Sequence, residues 1–481
     1  MQDNSIKSKA LRGTVWVALE KFSCQIIQFI IGIILARLLS PGDYGIVGML
    51  AIFLSLANTL VDSGMTSALI QKQDRTDEDY STTFVFNFVA SLIIYVILFF
   101  AAPYIASFYK TPVLKSITRV ISIPIVINSF SAVNRTKLSI ELRFREQSII
   151  SVISLIFSGL IGIFMAFQGY GVWTLVIQSI VGSFVTSILL ILITKWFPGL
   201  NFSKKAFEKL FGFGSRILGT SLLYTLYINM YTLVIGRAFS PVQVGYYNRG
   251  DGYAKLPVQT FAELAHKVYF PVLSKVQDDN QKLIIAYTKM VQLPMYLLFP
   301  ILVGVAAIAE PLIVTMIGEK WLPCVPILQI LCIGYMFGAL TDLNLNLLMV
   351  KGRSDLILRL DLIKKPIAFS ILFLSIPLGI MWMVILKSIY EVIAFLINCY
   401  YTKKILDYGA LKQLKSVLPI MLKSLAMGAI VYFSIYFIST MWLKLVVGII
   451  IGVAIYLIFS LLSKDSSYEE LKNIVINLVK R

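Results

Sequence analysis

Long apolar runs recur along almost the whole chain and constrain its fold more than any other feature. A run of about 20 apolar residues crosses the roughly 30 Å hydrocarbon core of a bilayer as an α-helix. A helix also satisfies its backbone hydrogen bonds internally, as hydrocarbon requires. Because 58% of the residues are hydrophobic and only 14% are charged, a soluble fold is excluded. The chain is predicted to be an all-α integral membrane protein.

Fourteen runs are long enough to be predicted transmembrane helices. They lie at residues 13–36, 43–66, 80–104, 116–134, 149–167, 172–194, 211–235, 244–265, 286–309, 324–348, 357–377, 382–402, 417–439 and 443–463. The eighth run is unusually polar, since it contains "YYNRGDGYAKLP". The eleventh carries Asp361, Lys364 and Lys365. These two are the least typical of a lipid-facing helix.

The positions of the basic residues predict the orientation in the membrane. The chain has 43 Lys and Arg against 25 Asp and Glu, a net charge of +18. With the N-terminus inside, about 32 of these cations fall in cytoplasmic segments and about 6 in external loops, as the positive-inside rule requires. Both termini are therefore predicted to be cytoplasmic. The basic clusters set the topology and contact anionic lipid, and no nucleic acid partner is predicted.

A short motif occurs twice, at the ends of the first and seventh predicted spans. "LARLLSPGDYG" occupies Leu35–Gly45, and "IGRAFSPVQVG" occupies Ile235–Gly245. An even number of spans separates the copies, which predicts two parallel six-helix lobes related by a pseudo-twofold axis along the membrane normal. The alternative is local, because Ser-Pro after a span is also an ordinary helix stop and N-cap.

This repeat gives a predicted organisation of two lobes and a C-terminal extension. The segments are a cytoplasmic N-terminus (1–12), a first lobe (13–195), a cytoplasmic linker (196–210), a second lobe (211–402), a cytoplasmic loop with two more spans (403–463) and a cytoplasmic tail (464–481).

The motifs "ILARLLSPGDYGIVGM", "IGRAFSPVQVGYYNRGDGYAKLPVQT" and "FPVLSKVQDD" carry a family resemblance. The chain resembles, over about residues 10 to 400, the Wzx-type lipopolysaccharide and polysaccharide flippases of the multidrug/oligosaccharidyl-lipid/polysaccharide exporter superfamily. The resemblance implies a twelve-helix, two-lobed core with two extra C-terminal helices in the cytoplasmic membrane of a bacterium. It also implies alternating-access export of a polyprenyl-pyrophosphate-linked oligosaccharide for O-antigen, exopolysaccharide or capsule synthesis.

Such a transporter needs a wet, basic cavity for its anionic head group, because an isolated ion in hydrocarbon costs at least several kcal/mol. Ionisable residues inside spans are therefore the functional candidates. The predicted head-group residues are Lys21, Gln25 and Gln28 of the first span, Tyr224, Asn229 and Tyr231 of the seventh, and Arg249 and Lys255 of the eighth. Arg249 is the preferred phosphate ligand, because a guanidinium binds phosphate oxygens in a bidentate manner. The alternative places this segment as an interfacial helix.

A second group of residues is assigned to ion coupling or to charge pairing. It comprises Glu20, Asp62, Asp251 and Asp342. Coupling to Na⁺, H⁺ or the membrane potential is expected, with no cofactor and no catalytic residue. Lys387 and Glu391, four residues apart on a helix, are predicted to form a structural ion pair. His266 is the single histidine, and no metal site is predicted.

The partners implied by the resemblance are the lipid-linked oligosaccharide, membrane lipid and other polysaccharide assembly proteins. Two other classes stay open on the sequence. An ion-coupled drug or small-molecule antiporter of the same superfamily would use a coupling carboxylate such as Glu20. A membrane polymerase or ligase of envelope glycans would need an external catalytic domain, which the short predicted external loops do not provide.

Overall fold

The computed structural model describes the backbone of residues 2–463 and 465–479, and their side chains except at 2–19, 264–268, 466, 474–475 and 477–479. Within these residues the secondary structure is entirely helical. The helices are α1 (Gln2–Leu38), α2 (Pro41–Asp62), α3 (Met65–Gln71), α4 (Asp77–Phe108), α5 (Leu114–Ile121), α6 (Ile123–Ile140), α7 (Phe144–Phe167), α8 (Val172–Thr194), α9 (Lys204–Ala238), α10 (Pro241–Ser274), α11 (Asn280–Ala307), α12 (Ala309–Ile317), α13 (Val325–Val350), α14 (Ser354–Ser375), α15 (Ile380–Leu406), α16 (Ala410–Tyr436), α17 (Met441–Leu462) and α18 (Ser466–Val479). Two 3₁₀ helices, Glu319–Cys324 and Ile376–Leu378, precede α13 and α15.

Twelve helical segments in the described part of the chain are long and apolar enough to cross a membrane. The protein is therefore a multi-pass, all-helical membrane protein, as predicted. The two predicted spans outside this set correspond to α10 and α14, both continuous helices rich in charge. In α14 the charges offset one another locally, because Asp361 lies 3.3 Å from Lys364 and 3.4 Å from Lys365.

The chain divides into two compact units, Met1–Gly245 and Tyr246–Arg481. In the first unit, α7 packs against both α1 and α8, and α6 packs between α8 and α4. Helix α9 belongs to this unit, where it packs along α2, with the hydroxyls of Thr59 and Thr225 3.3 Å apart. This spatial division falls inside α10, whereas the sequence repeat divides the chain before α9. The parallel repeat stays a prediction.

The Ser-Pro of the duplicated motif starts a helix in both copies. Ser40 and Asp43 form a capping box at the N-terminus of α2, with Pro41 in its first turn. In the second copy, the Ser240 hydroxyl accepts a hydrogen bond from the backbone N–H of Gln243 at 3.4 Å. The local interpretation of the motif as a helix stop and cap is confirmed, because these side chains satisfy backbone N–H groups that a helix start leaves open.

The glycine that ends each copy has a different role, which is contact with the other copy. A Cβ atom on Gly45 would lie 1.6 Å from the carbonyl oxygen of Pro241. Reciprocally, a Cβ atom on Gly245 would lie 2.0 Å from the carbonyl oxygen of Pro41. The two motifs therefore meet backbone to backbone at the starts of α2 and α10, and only glycine fits at either position.

In the second unit, α13 packs on α15 and α11, and the C-terminal helices α16 and α17 pack beside α11. Buried hydrogen bonds fix α17, because Tyr296 of α11 donates to the Ser460 hydroxyl at 2.6 Å and Tyr456 donates to the Tyr296 carbonyl at 2.7 Å. The predicted tail contains α18, where Glu470 lies 3.8 Å from Lys289 of α11. The two predicted C-terminal helices, α16 and α17, are thus packed into this unit.

Candidate functional site

A stripe of three polar side chains runs along one face of α10. Tyr247, Asp251 and Lys255 are spaced four residues apart, which places them above one another on a helix. The helix continues through Pro257 to Ser274, so the polar segment "YYNRGDGYAKLP" is helical throughout. The stripe faces α13 and α15, which contribute Tyr335 and Lys387.

These five residues, Tyr247, Asp251, Lys255, Tyr335 and Lys387, form what we term the α10 charge cluster. One carboxylate oxygen of Asp251 lies 2.6 Å from the Lys387 ammonium and accepts a hydrogen bond from the Tyr335 hydroxyl at 2.5 Å. The other oxygen lies 3.0 Å from the Lys255 ammonium. Lys387 also donates to the hydroxyls of Tyr247 at 2.7 Å and Tyr335 at 3.0 Å.

The cluster is largely buried, but not uniformly. The side chains of Asp251 and Lys387 are 14% and 10% exposed, whereas that of Lys255 is 37% exposed. A single carboxylate therefore contacts two ammonium groups, one enclosed and one accessible. Burying such charges is costly unless they are paired and hydrogen-bonded, and inside a membrane protein they usually mark a functional site.

The partner of Lys387 differs from the one suggested by sequence spacing. Spacing on α15 predicts Glu391, one turn further along the same helix. The structure instead brings Asp251, on α10, within 2.6 Å. Glu391 faces α13, where its carboxylate would lie 3.1 Å from a Cβ atom on Gly338.

Arg249 lies near the cluster in sequence but in a different environment. Its guanidinium carbon is 5.4 Å from the ring centroid of Trp321, which is fully buried in the 3₁₀ helix before α13. This distance is within the range of a cation–π contact, which favours Arg because a guanidinium stacks on an aromatic face. Arg249 is half-buried, and the carboxylate of Asp251 pairs with Lys255 and Lys387.

The predicted residues of α1 lie in the first compact unit. Lys21 and Gln28 are exposed and Gln25 is half-buried. Glu20 accepts hydrogen bonds from two hydroxyls of α7, from Ser151 at 2.7 Å and from Ser148 at 3.3 Å. Its carboxylate thereby fixes α1 against α7.

The predicted residues of α9 also lie in the first unit. Tyr224 is 62% exposed, and Tyr231 is half-buried. Asn229 is half-buried and donates to the carbonyl of Thr225, one turn earlier, at 2.9 Å. Such local backbone bonding is typical of a polar residue in a membrane helix.

The carboxylates proposed for ion coupling are dispersed over several helices. Asp62 is half-buried at the end of α2, and Asp342 is exposed on α13, where it lines a small cavity with Asn346 and Phe261. Of these proposed carboxylates, Asp251 forms ion pairs with Lys255 and Lys387 in the α10 charge cluster. The side chain of His266 lies outside the described residues.

Of the predicted site residues, the structure brings Asp251 and Lys255 together. The sequence analysis did not predict the two tyrosines beside them, Tyr247 and Tyr335. The four-residue spacing of Tyr247, Asp251 and Lys255 was a signal for a shared face. Tyr335 lies on α13, a different helix from Asp251, so its place beside Asp251 was not evident from local pattern.

Comparison with known proteins identifies the family. Residues 34–326 match the family model described as "Polysaccharide biosynthesis protein". The chain is 26% identical over 434 residues to the teichuronic acid biosynthesis protein TuaB of Bacillus subtilis, covering 89% of each chain. It is 25% identical over 366 residues to the lipopolysaccharide biosynthesis protein WzxC of Escherichia coli, covering 75% of this chain and 74% of that protein.

The fold is also that of a solved transporter. The structure of the lipid II flippase MurJ in an inward closed conformation matches with a TM-score of 0.74 at 19% identity, covering 93% of this chain and 98% of the other. At this identity the likeness establishes the fold, and the family model covers more than half of the chain. The protein belongs to the polysaccharide biosynthesis protein family.

Proposed function

We propose that the protein is a flippase that moves a polyprenyl-pyrophosphate-linked oligosaccharide from the inner to the outer leaflet by alternating access. Its relatives TuaB and WzxC are named for the synthesis of surface polysaccharides. The solved structure that shares its fold is a flippase for lipid II. A surface polysaccharide precursor is therefore the substrate class that family and fold together favour.

The observation that carries the proposal is the α10 charge cluster. A lysine at the centre of a membrane helix costs on the order of 2.5–3.5 kcal/mol on insertion scales, so cations there need a function or a partner. Lys387 is enclosed with Asp251, but Lys255 keeps an exposed face while it touches the same carboxylate. Its ammonium is placed to bind an anionic pyrophosphate, with Arg249 as the second predicted ligand.

The same cluster supplies a site for energy coupling. Asp251 is held between two ammonium groups, so an anionic head group that draws Lys255 away leaves the carboxylate with Lys387 alone. A cation gradient or the membrane potential, acting on the Asp251 carboxylate, would then drive the return of the protein to its starting conformation. Transport into proteoliposomes under imposed H⁺ or Na⁺ gradients, or under a K⁺-valinomycin potential, identifies the coupling ion.

The proposed location is the cytoplasmic membrane of a bacterium, with both termini in the cytoplasm and other polysaccharide assembly proteins as neighbours. In this orientation we expect the α10 charge cluster to lie within the membrane and to receive its substrate from the inner leaflet.

The test is complementation of a deletion strain, with lipid-linked oligosaccharide and surface polysaccharide both measured. The deletion should accumulate the precursor, and the wild-type gene should clear it. Lys255→Ala should lower export about 10-fold to 100-fold, as for the loss of a hydrogen bond to a charged group. Lys255→Arg should be partly active, since it keeps the charge.

The matched control is Lys204→Ala, because Lys204 lies outside the predicted spans with its side chain 86% exposed. It should export normally at equal protein abundance. Normal export by Lys255→Ala would remove the cluster from head-group binding. No precursor accumulation in the deletion strain, together with altered drug resistance, would favour the antiporter instead.

A further inference from the structure

A polar groove lies on the first compact unit, between α6, α7 and α8, and none of the residues that line it is a predicted site residue. Its volume is about 450 Å³, within the range of small-molecule sites. The polar side chains that line it are Asn128, Arg135, Ser158, Gln178, Ser179, Ser183 and Thr186. Four of the seven lie on one face of α8. We term this the α8 groove.

The side chains of the α8 groove differ from other polar residues on the same helices. Where α6 and α8 pack together, Ser131 and Ser187 are buried with their hydroxyls 2.8 Å apart, and Ser187 also bonds the Ile127 carbonyl at 3.0 Å. Such pairs hold membrane helices together. In contrast, Ser158 donates only within its own helix, to the Leu155 carbonyl at 3.1 Å. The other six polar groove side chains make no hydrogen bond or ion pair with any residue in the described part of the chain.

Unpaired amide, hydroxyl and guanidinium groups are costly against lipid. Each polar group that is left unsatisfied in hydrocarbon costs several kcal/mol, so irregular polar surfaces within spans line water-filled cavities. Helix α8 is otherwise strongly apolar, with Phe184 55% exposed beside the groove. The groove is therefore a hydrated surface that a polar ligand can occupy.

We propose that the α8 groove binds the saccharide portion of the transported substrate, an inference that rests on the proposed function. Amide and hydroxyl side chains both donate and accept hydrogen bonds, as sugar hydroxyls do. Asn128 and Gln178 provide two amides, and the α8 hydroxyls provide further partners along the same face. Arg135, roughly two helical turns from Asn128 on α6, adds a ligand for an anionic substituent.

Thiol labelling tests whether the groove is hydrated and whether a saccharide fills it. In a variant with all four native cysteines replaced, Ser183→Cys is compared with Phe184→Cys in nanodiscs. A charged methanethiosulfonate should label Ser183→Cys at least about tenfold faster, because only a hydrated thiol forms the reactive thiolate. Lipid-linked oligosaccharide extracted from the producing strain should slow this labelling, whereas undecaprenyl pyrophosphate without sugar should not.

Equal labelling at the two positions would overturn the hydrated groove. Equal protection by the two lipids would overturn saccharide binding and assign the effect to the pyrophosphate. No protection by either lipid would likewise exclude the groove as a saccharide site.

Export by substituted proteins provides a second, functional test. Gln178→Met and Asn128→Leu should each lower export about tenfold, because each removes hydrogen bonds to substrate. Phe184→Leu, outside the groove, should export normally at equal abundance. If the wild type exports and both groove variants equal it, the groove inference fails while the proposed function stands. If the wild type itself exports no lipid-linked oligosaccharide, the proposed function fails and the groove inference fails with it.

Discussion

The ion pair between Asp251 and Lys387 should be strongly coupled to the stability of the second unit. The perturbation is a double-mutant cycle of Asp251→Asn, Lys387→Met and the combined variant. Both side chains are at most 14% exposed, and their charged atoms are 2.6 Å apart. Removal of one partner of a buried pair typically costs about 3–5 kcal/mol, because the other charge stays buried and uncompensated.

The surroundings decide where each variant falls in this range. In Lys387→Met, Asp251 retains Lys255 at 3.0 Å, so its cost should lie near the lower end. In Asp251→Asn, two ammonium groups lose their shared carboxylate, so its cost should lie near the upper end. The double variant should be less destabilised than the sum of the singles by about 2 kcal/mol or more, since it removes the enclosed charges together.

The assay is unfolding in mixed detergent micelles, followed by tryptophan fluorescence. A control cycle uses Lys204 and Glu208, which are 86% and 65% exposed and 3.9 Å apart. Its coupling should be about 0–1 kcal/mol. If the stability losses of Asp251→Asn and Lys387→Met are additive, so that their coupling energy is no larger than that of the control cycle, the α10 charge cluster is not a coupled unit.

Three further predictions follow from other parts of the chain. Gly45→Ala and Gly245→Ala should each destabilise the protein by about 1–3 kcal/mol in thermal unfolding, because the added Cβ would overlap a proline carbonyl oxygen. Gly219→Ala on α9, with open space around it, should not destabilise, and equal losses at all three would contradict the close contact. Arg249→Ala should accumulate lipid-linked oligosaccharide at normal abundance, while Arg249→Lys stays partly active because it keeps the charge and loses the planar fork; full export by Arg249→Ala would refute the phosphate role. Reporter fusions after residue 481 and within residues 74–78 should both report a cytoplasmic location, and an external C-terminus would mean an odd number of spans.

The sequence predicts the membrane fold well because each span is specified locally. Hydrocarbon imposes a length and an apolar composition on every crossing helix, and both are visible in a single run of residues. The same rule explains why α10 and α14 are the exceptions: their charges conflict with the criterion for lipid exposure but are paired within the protein. In α14 this pairing stays within the helix, whereas α10 depends on a neighbouring helix, because Lys387 of α15 pairs with Asp251.

The candidate site was only partly predictable, because its geometry depends on how separate helices align. The pattern of α10 indicated that Asp251 and Lys255 matter, but Lys387 was assigned to Glu391 on its own helix. Which of two carboxylates meets a lysine depends on helix register, and no local spacing encodes it. The groove residues of α8 were not predicted for a different reason. Ser and Thr residues in a membrane helix usually indicate helix packing, so their sequence pattern does not single out a binding site.

The duplicated motif shows both outcomes at once. Its Ser-Pro was predictable as a cap because that chemistry is local. The need for Gly45 and Gly245 was not, because each glycine accommodates the backbone of the other copy 200 residues away in the chain.

Reconstituted flipping tests the central claim most directly. Labelled lipid-linked oligosaccharide from the producing strain is placed in proteoliposomes, and its loss from the protected leaflet is followed with an impermeant glycosidase. The account predicts rapid, protein-dependent transfer with the wild type, transfer about 10-fold to 100-fold slower with Lys255→Ala, and wild-type transfer with Lys204→Ala. Transfer no faster than in protein-free liposomes, by wild-type protein under H⁺, Na⁺ and electrical gradients, would contradict it.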